Sequence, residues 1–131
     1  MEIYIFLVIA IGMLSLMSAL YIKNAALESY DSILVVRTCN CAVICEGILR
    51  DAVRIMKKPG RSELIVLDKG SSDGTYEILK RLSTKYAFSV TRVNNEQEAR
   101  EIVGLYSVAK DCKLLVMDEN TQYFTARAQL N

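Results

Sequence analysis

Three apolar patterns follow one another along the chain. The first is an uninterrupted stretch, Ile3–Ile22, which contains no charged side chain. Short runs rich in β-branched residues come next, and such runs are typical of strands buried on both faces. Between these runs, apolar residues recur every three or four positions, as on one side of a helix. The pattern predicts an apolar N-terminal helix followed by a small α/β domain.

The N-terminal stretch is long enough to cross a membrane. Its 20 residues would span about 30 Å as a helix, the thickness of a hydrocarbon core. A cleavable signal peptide would place basic residues before a shorter apolar core, whereas Glu2 is the charged side chain found here. A buried core helix would carry a polar stripe, and only Gly12, Ser15 and Ser18 interrupt this one. We therefore predict a retained transmembrane helix.

Charge bears on orientation and on partners. Lys23 follows the apolar stretch and no Lys or Arg precedes it, so the positive-inside rule favours a single-pass membrane protein with a cytoplasmic domain. The chain has 16 Lys and Arg and 15 Asp and Glu, and this balance does not indicate a nucleic-acid partner. The absence of His excludes Ser-His-Asp and Cys-His catalysis.

The cysteines indicate reduced thiols. Cys39, Cys41 and Cys45 lie within seven residues and Cys112 stands alone, which is a poor framework for disulfides and is ordinary for a cytosolic domain. The spacing matches no standard zinc site.

Behind the N-terminal stretch, strands and helices are predicted to alternate. Strands are predicted at residues 32–38, 63–68, 88–93 and 113–118. Amphipathic helices are predicted at residues 42–58, where Pro59-Gly60 ends the helix, after the loop at 69–74, and after a capping box at 95–98. This order implies right-handed crossovers and a parallel sheet covered on both faces.

The predicted organisation has four parts. They are a transmembrane anchor at residues 1–23, a polar linker at 24–31, the α/β domain at 32–120 and a C-terminal tail at 121–131. The apolar residues of the tail either pack over the sheet or contact a partner.

Polar residues follow each predicted strand. In a parallel sheet the carboxyl ends of the strands lie at one edge, where ligands bind. Asp68 and Asp118 end the second and fourth strands, so two carboxylates are expected at this edge. They either belong to a binding site or accept hydrogen bonds from amides of their own turns. Asp73 or Ser72 is expected to cap the following helix.

The sequence around the second strand resembles a glycosyltransferase motif. Residues 64–79 read LIVLDKGSSDGTYEIL, and this segment is similar to the second-strand motif VVDDGSSDGT of family 2 glycosyltransferases of the GT-A fold. Residues 32–40, SILVVRTCN, are similar to the family's first strand; Thr38 and Asn40 match it, and Arg37 and Cys39 depart from it. The resemblance covers residues 32–120 and implies a Rossmann-like nucleotide-binding half of a GT-A fold.

The resemblance also implies a nucleotide-sugar site with a divalent metal, Mn or Mg, on the diphosphate. The matching positions that would bind the nucleotide are Thr38, Asn40, Asp68, Lys69, Gly70, Ser71 and Asp73. Asp118 would be the first acid of the family's Asp-x-Asp metal motif, and Asn120 occupies the position of the second. Lys69 replaces an acid of the family and cannot accept hydrogen bonds from a base. We therefore expect impaired base selection and weak metal binding.

The resemblance bears on catalysis as well. In the family the catalytic base lies downstream of the metal motif, and residues 120–131 contain no acid, so independent sugar transfer is not expected. The predicted function is a membrane-anchored, catalytically inactive glycosyltransferase-like protein with residual nucleotide-sugar binding or a scaffold role. The alternative is the donor-binding half of a split glycosyltransferase that needs a separate acceptor subunit. The uncovered side of such a sheet predicts a protein partner or a homodimer.

Overall fold

A computed structural model describes residues 1–28, 31–57 and 62–131, except for the side chains of residues 2 and 23–28. Pro59 and Gly60, the predicted helix terminator, lie outside the described residues. The helices and strands of the described residues, in chain order, are α1 (Glu2–Glu28), β1 (Ser32–Thr38), α2 (Ala42–Met56), β2 (Ser62–Lys69), α3 (Thr75–Tyr86), β3 (Ser89–Val93), α4 (Glu96–Tyr106), β4 (Asp111–Met117) and α5 (Tyr123–Ala128).

Helix α1 is exposed along its apolar section. Ile3–Ile22 has a mean hydropathy of 2.5 and is long and apolar enough to cross a membrane. The hydroxyls of Ser15 and Ser18 donate to carbonyls one turn earlier, at 2.9 and 2.8 Å, so these polar groups are satisfied within the helix, as a lipid environment requires. The helix continues to Glu28 and therefore includes the first part of the predicted linker.

The four strands form one parallel sheet in the order β3-β2-β1-β4. Strand β1 is central, and its Val35 and Val36 are fully buried. Continuous burial on both sides explains why β1 and β2 are runs of apolar residues without a polar alternation. The prediction of an α/β fold with a four-stranded parallel sheet is confirmed.

Helices cover both faces of the sheet because successive strand residues point to opposite sides. On one face, Val36 and Val66 pack with Ile48 and Leu49 of α2, together with residues of α3 and α5. The opposite face is smaller, and its buried apolar residues are Ile33, Val35, Ile65, Leu67, Val93, Ala99 and Ala109. Helix α4 supplies the cover on that face.

The C-terminal tail forms a short helix, α5, that the sequence did not predict. Ala126 and Leu130 are buried against the α2 face of the sheet, and the hydroxyl of Tyr123 donates to Asp51 of α2 at 2.8 Å. The tail was expected either to pack over the sheet or to contact a partner, and Ala126 and Leu130 pack over the sheet. Phe124 stays 81% exposed and remains available for contact with another molecule.

Candidate functional site at the carboxyl edge of the sheet

The order of the strands locates the candidate site. Strands β2 and β3 lie on one side of β1, and β4 lies on the other. Open α/β sheets bind ligands at the carboxyl ends of the strands where the order reverses in this way. At that boundary the amide of Cys39 donates to the carbonyl of Met117 at 2.9 Å, so β1–β4 pairing continues one residue past β1. The loops that follow β1, β2 and β4 surround this position.

Asp68, at the end of β2, is completely buried and holds neighbouring loops together. Its Oδ1 accepts hydrogen bonds from the hydroxyl of Thr38 at 3.1 Å and from the hydroxyl of Ser71. Its Oδ2 accepts from the amide of Ser71 at 3.1 Å and lies 3.7 Å from Nε of Arg92. A buried charge requires this degree of hydrogen bonding. In this structure the carboxylate is used to join β1 to the loop after β2.

The loops after β1 and β2 are also joined through Asn40. The backbone amide of Asn40 donates to the hydroxyl of Ser71 at 3.0 Å, and the side-chain carbonyl of Asn40 accepts from the backbone amide of Ser72 at 2.8 Å. Asn40 has φ 48° and Gly70 has φ 58°, both in the left-handed region that Asn and Gly tolerate best. The two tight turns bring the polar groups of both loops to one position.

Asp73 lies between the N-termini of two helices. Its carboxylate accepts from the amide of Ala42, the first residue of α2, at 3.1 Å, and from the amide of Thr75, the first residue of α3, also at 3.1 Å. The hydroxyl of Thr75 donates to it as well. These hydrogen bonds, that of the Thr75 hydroxyl foremost, lower the pKa of the Asp73 carboxyl. The expectation that Asp73 or Ser72 caps α3 is corrected, because the N-cap residue of α3 is Gly74, which has no side-chain cap hydrogen bond. Asp73 instead accepts hydrogen bonds from the first amides of both α2 and α3.

Three cations converge on one acid beside this network. Nζ of Lys69 donates to Oε2 of Glu96 at 3.2 Å, Arg37 donates to its Oε1, and Nε of Arg100 lies 3.7 Å from Oε1. The hydrogen bond from Lys69 and the charge of Arg37 lower the pKa of the Glu96 carboxyl. The cluster of Arg37, Lys69, Arg100 and Glu96, here called the Glu96 cluster, joins β1, β2 and α4.

Arg92 of β3 lies on the other flank of the Asp68 network. Its guanidinium donates to the carbonyl of Ser71 at 2.9 Å and lies 4.6 Å from the centre of the Tyr76 ring. A cation over an aromatic face is stabilised by the ring quadrupole. Arg92 therefore fixes the loop after β2 from the side of β3.

The two residues of the predicted metal motif lie in the exposed turn after β4. Oδ1 of Asp118 accepts from the amide of Asn120 at 2.9 Å and from the hydroxyl of Thr121 at 3.0 Å. Within the described parts of the chain, no three acidic, Cys or His residues form a group able to hold a metal. Magnesium-type ions are often held by one or two carboxylates together with substrate phosphates. Asp118 and Asn120 could therefore hold a cation only together with oxygens that a bound ligand supplies.

The four cysteines lie in described regions, and none of them forms a disulfide there. Cys41 and Cys45, one turn apart at the start of α2, are buried. The hydrogen bond with Cys45 lowers the pKa of Cys41, and the same bond, with burial, raises the pKa of Cys45. Cys39 lies near Lys69, but burial raises the pKa of its thiol. None of these thiols is arranged as a nucleophile beside a base.

The structure thus brings together seven predicted residues after β1 and β2, which are Thr38, Asn40, Asp68, Lys69, Gly70, Ser71 and Asp73. The predicted pair Asp118 and Asn120 lies in the turn after β4, where Asp118 directly follows Met117, the residue in register with Thr38. Glu96 and Arg92 are site residues that the sequence reasoning missed. Arg37 was noted only as a departure from a motif. Its position as the penultimate residue of a buried strand is the signal that could have placed it at this edge.

The fold and the site together define an α/β, Rossmann-like domain with a polar, cation-bearing carboxyl edge. No protein-family model matches the chain, and no curated protein matches it either. A solved structure that resembles it is the mannosyltransferase PcManGT from Pyrobaculum calidifontis in complex with GDP-Man and Mn2+, at 22% identity and a TM-score of 0.46. The match covers 57% of this chain and 24% of that one, so this chain spans about a quarter of the length of the mannosyltransferase.

Proposed function

We propose that the chain is a membrane-anchored, glycosyltransferase-like protein that binds the diphosphate-bearing part of a nucleotide or nucleotide-sugar and does not transfer the sugar by itself. The observation that carries the proposal is the carboxyl edge of the sheet, where Arg37 and Lys69 leave neighbouring strands next to the loops of Asn40 and Ser71. Such an edge offers cations and hydrogen-bond donors to a phosphorylated ligand.

The state of the carboxylates supports binding without catalysis. Asp68 is buried and fully hydrogen-bonded, Asp73 accepts from the first amides of two helices, and Asp118 accepts bonds within its own turn. A general base must reach the proton that it removes with a free oxygen. Glu119 is exposed, and no hydrogen bond within the described residues positions it. Sugar transfer by this domain alone is therefore not part of the proposal.

A divalent cation has a minor place in this proposal. Asp118 and Asn120 supply few oxygens, so Mn2+ or Mg2+ would bind weakly alone and more strongly in the presence of a diphosphate. Helix α1 would act as a single-pass anchor, with the domain on the cytoplasmic side because Lys23 follows the apolar section.

A second candidate is the donor half of a split glycosyltransferase. The edge strand β4 favours it, because Leu114 and Val116 are 48% and 38% exposed there. An exposed apolar edge strand is suited to pairing with another subunit or a second copy of this chain. For a split enzyme, Asp118→Ala should abolish sugar transfer by the reconstituted pair, whereas a scaffold should keep its cellular role after that substitution.

The proposed function is tested by calorimetric titration of the full chain in detergent micelles with uridine diphosphate, with and without Mn2+. Lys69→Ala removes a charge-assisted contact and should weaken binding about tenfold. The matched control is Lys80→Ala, since Lys80 is exposed on α3 outside the site, and this variant should bind like wild type. Absence of binding to wild type under both conditions would contradict nucleotide binding and leave the scaffold role.

A further inference from the structure

We infer that Glu96 is a built-in competitor of the ligand: its carboxylate occupies an anion site formed by Arg37, Lys69 and Arg100, which a phosphate or diphosphate group takes over when Glu96 turns away. The inference rests on the proposed function in one respect, because this anion site lies at the same edge of the sheet. It adds a regulatory residue and assigns the ligand's phosphates to three named cations.

The charges of the Glu96 cluster are out of balance. Three cations from three elements face a single carboxylate. Cations held close together repel one another, and a single cation would already balance the charge of the Glu96 carboxylate. A diphosphate carries more negative charge than a carboxylate and presents more acceptor oxygens. Exchange of Glu96 for a diphosphate would therefore improve the charge balance of the cluster.

Arg37 is the best-fixed cation of the three. It leaves the central strand β1, and its side chain is 23% exposed, compared with 40% for Lys69 and 74% for Arg100. A partly buried guanidinium is expensive to leave without an acceptor. Glu96 meets this need in the ligand-free chain, and a phosphate oxygen would meet it in the complex.

The cluster also borders open space. A cavity of about 180 Å3 is lined by Arg37, Glu96, Ala99, Arg100, Val103 and Leu114. Arg37 and Arg100, two of the three cations, therefore line a volume that a small anion can enter.

Glu96 can leave without unfolding α4. Its side chain is 35% exposed, and it is the first residue of the helix. Other residues cap this end: the side chain of Asn95 accepts from the amide of Glu98 at 2.8 Å, and the carboxylate of Glu98 accepts from the amide of Asn94 at 2.8 Å. The first bond is the N-cap half of a capping box, and the second goes to the residue before the N-cap. Neither bond involves the Glu96 carboxylate.

The test is titration of the full chain in micelles with inorganic pyrophosphate. Glu96→Gln removes the competing charge, and the affinity should rise about tenfold or more, the value of a charge-assisted hydrogen bond. Glu101→Gln is the matched control, because Glu101 lies on the same helix and its carboxylate accepts from the side chain of Gln97. Its affinity should equal that of wild type. Adding Arg37→Gln to Glu96→Gln should return binding to the weak level.

Two results would overturn the inference: equal pyrophosphate affinity in wild type and Glu96→Gln, or an equal rise in Glu101→Gln. Should Glu96→Gln fail to fold, Glu96→Asp keeps the charge and withdraws the carboxylate by one methylene, and it should show a smaller rise; no rise would overturn the inference too. If Glu96→Gln binds pyrophosphate tightly and binds uridine diphosphate no more tightly than pyrophosphate, the anion site is supported and the nucleotide proposal is contradicted. If wild type binds uridine diphosphate and Glu96→Gln leaves the affinity for both ligands unchanged, the nucleotide proposal is supported and the role of Glu96 as a competitor is contradicted.

Discussion

The hydrogen bond between Thr38 and Asp68 should be a main stabilising contact of the carboxyl edge. Both residues have an exposed fraction of 0%, and the hydroxyl of Thr38 donates to the carboxylate at 3.1 Å. Thr38→Val replaces the hydroxyl with a methyl group of similar size, so the substitution removes the donor without creating a cavity. The Asp68 charge then stays buried with one donor fewer.

The expected loss of free energy of unfolding follows from the charge on the acceptor of the Thr38–Asp68 hydrogen bond. A hydrogen bond to a charged group contributes about 1.5–3 kcal/mol. Asp68 keeps its two bonds from Ser71 and the contact with Arg92, which places the expected loss of free energy of unfolding near the middle of that range, about 2 kcal/mol. The substitution should act through stability, because the buried hydroxyl of Thr38 is not available to a ligand.

The assay is urea unfolding of the full chain in micelles, followed by circular dichroism. Thr91→Val is the control, since Thr91 is exposed on β3 and its substitution should change the free energy of unfolding by less than about 0.5 kcal/mol. A loss for Thr38→Val as small as that of the control would refute the reasoning. The Asp68 network would then not hold the two loops together, and its polar groups would be free for a ligand.

Three further predictions concern the helices. Asp73→Asn should destabilise the domain at neutral pH, because the carboxylate accepts hydrogen bonds from the first amides of α2 and α3. Since the folded pKa of Asp73 is lowered, this loss of stability should be full above the ordinary Asp pKa and vanish as the pH falls through the folded value. Melting curves across pH would reject the idea if the loss stayed constant. Gly47→Ala should cost about 1 kcal/mol, because its Cβ would meet Cε2 of Tyr123 at 2.7 Å. Gly104→Ala has no atom within 4 Å of its Cβ and should gain up to about 1 kcal/mol from helix propensity; urea unfolding that gives both variants the same sign would contradict the packing argument.

The fold was predictable because its signals are local. Strand β1 occupies the predicted residues 32–38, and helix α2 ends at Met56, two residues before the predicted end. Buried strands and amphipathic helices each leave a repeat in the sequence that can be read within a short window. Helix α5 has only 6 residues, too few for a clear repeat, and it forms through the burial of Ala126 and Leu130.

The site was predictable only in its location. The strand ends indicated the correct edge, but the direction of each side chain depends on loop geometry. Asp68 turns inward to Thr38 and Ser71, which the spacing alone did not decide. Glu96 was read as part of a capping segment, whereas two of its partners, Arg37 and Lys69, lie 59 and 27 residues away in the chain. Pairs of this kind arise from the packing of α4 on the sheet and leave no local repeat.

The small number of residues between α1 and the central strand limits the distance between the site and a membrane that α1 would cross. Only residues 29–31 separate Glu28 from Ser32. The helical extension beyond Ile22, this connection and the length of β1 together reach at most about 45 Å. With α1 in a bilayer, the carboxyl edge stays within that height above the surface. A partner held in the same membrane would then have to present its contact surface within that height in order to reach the site.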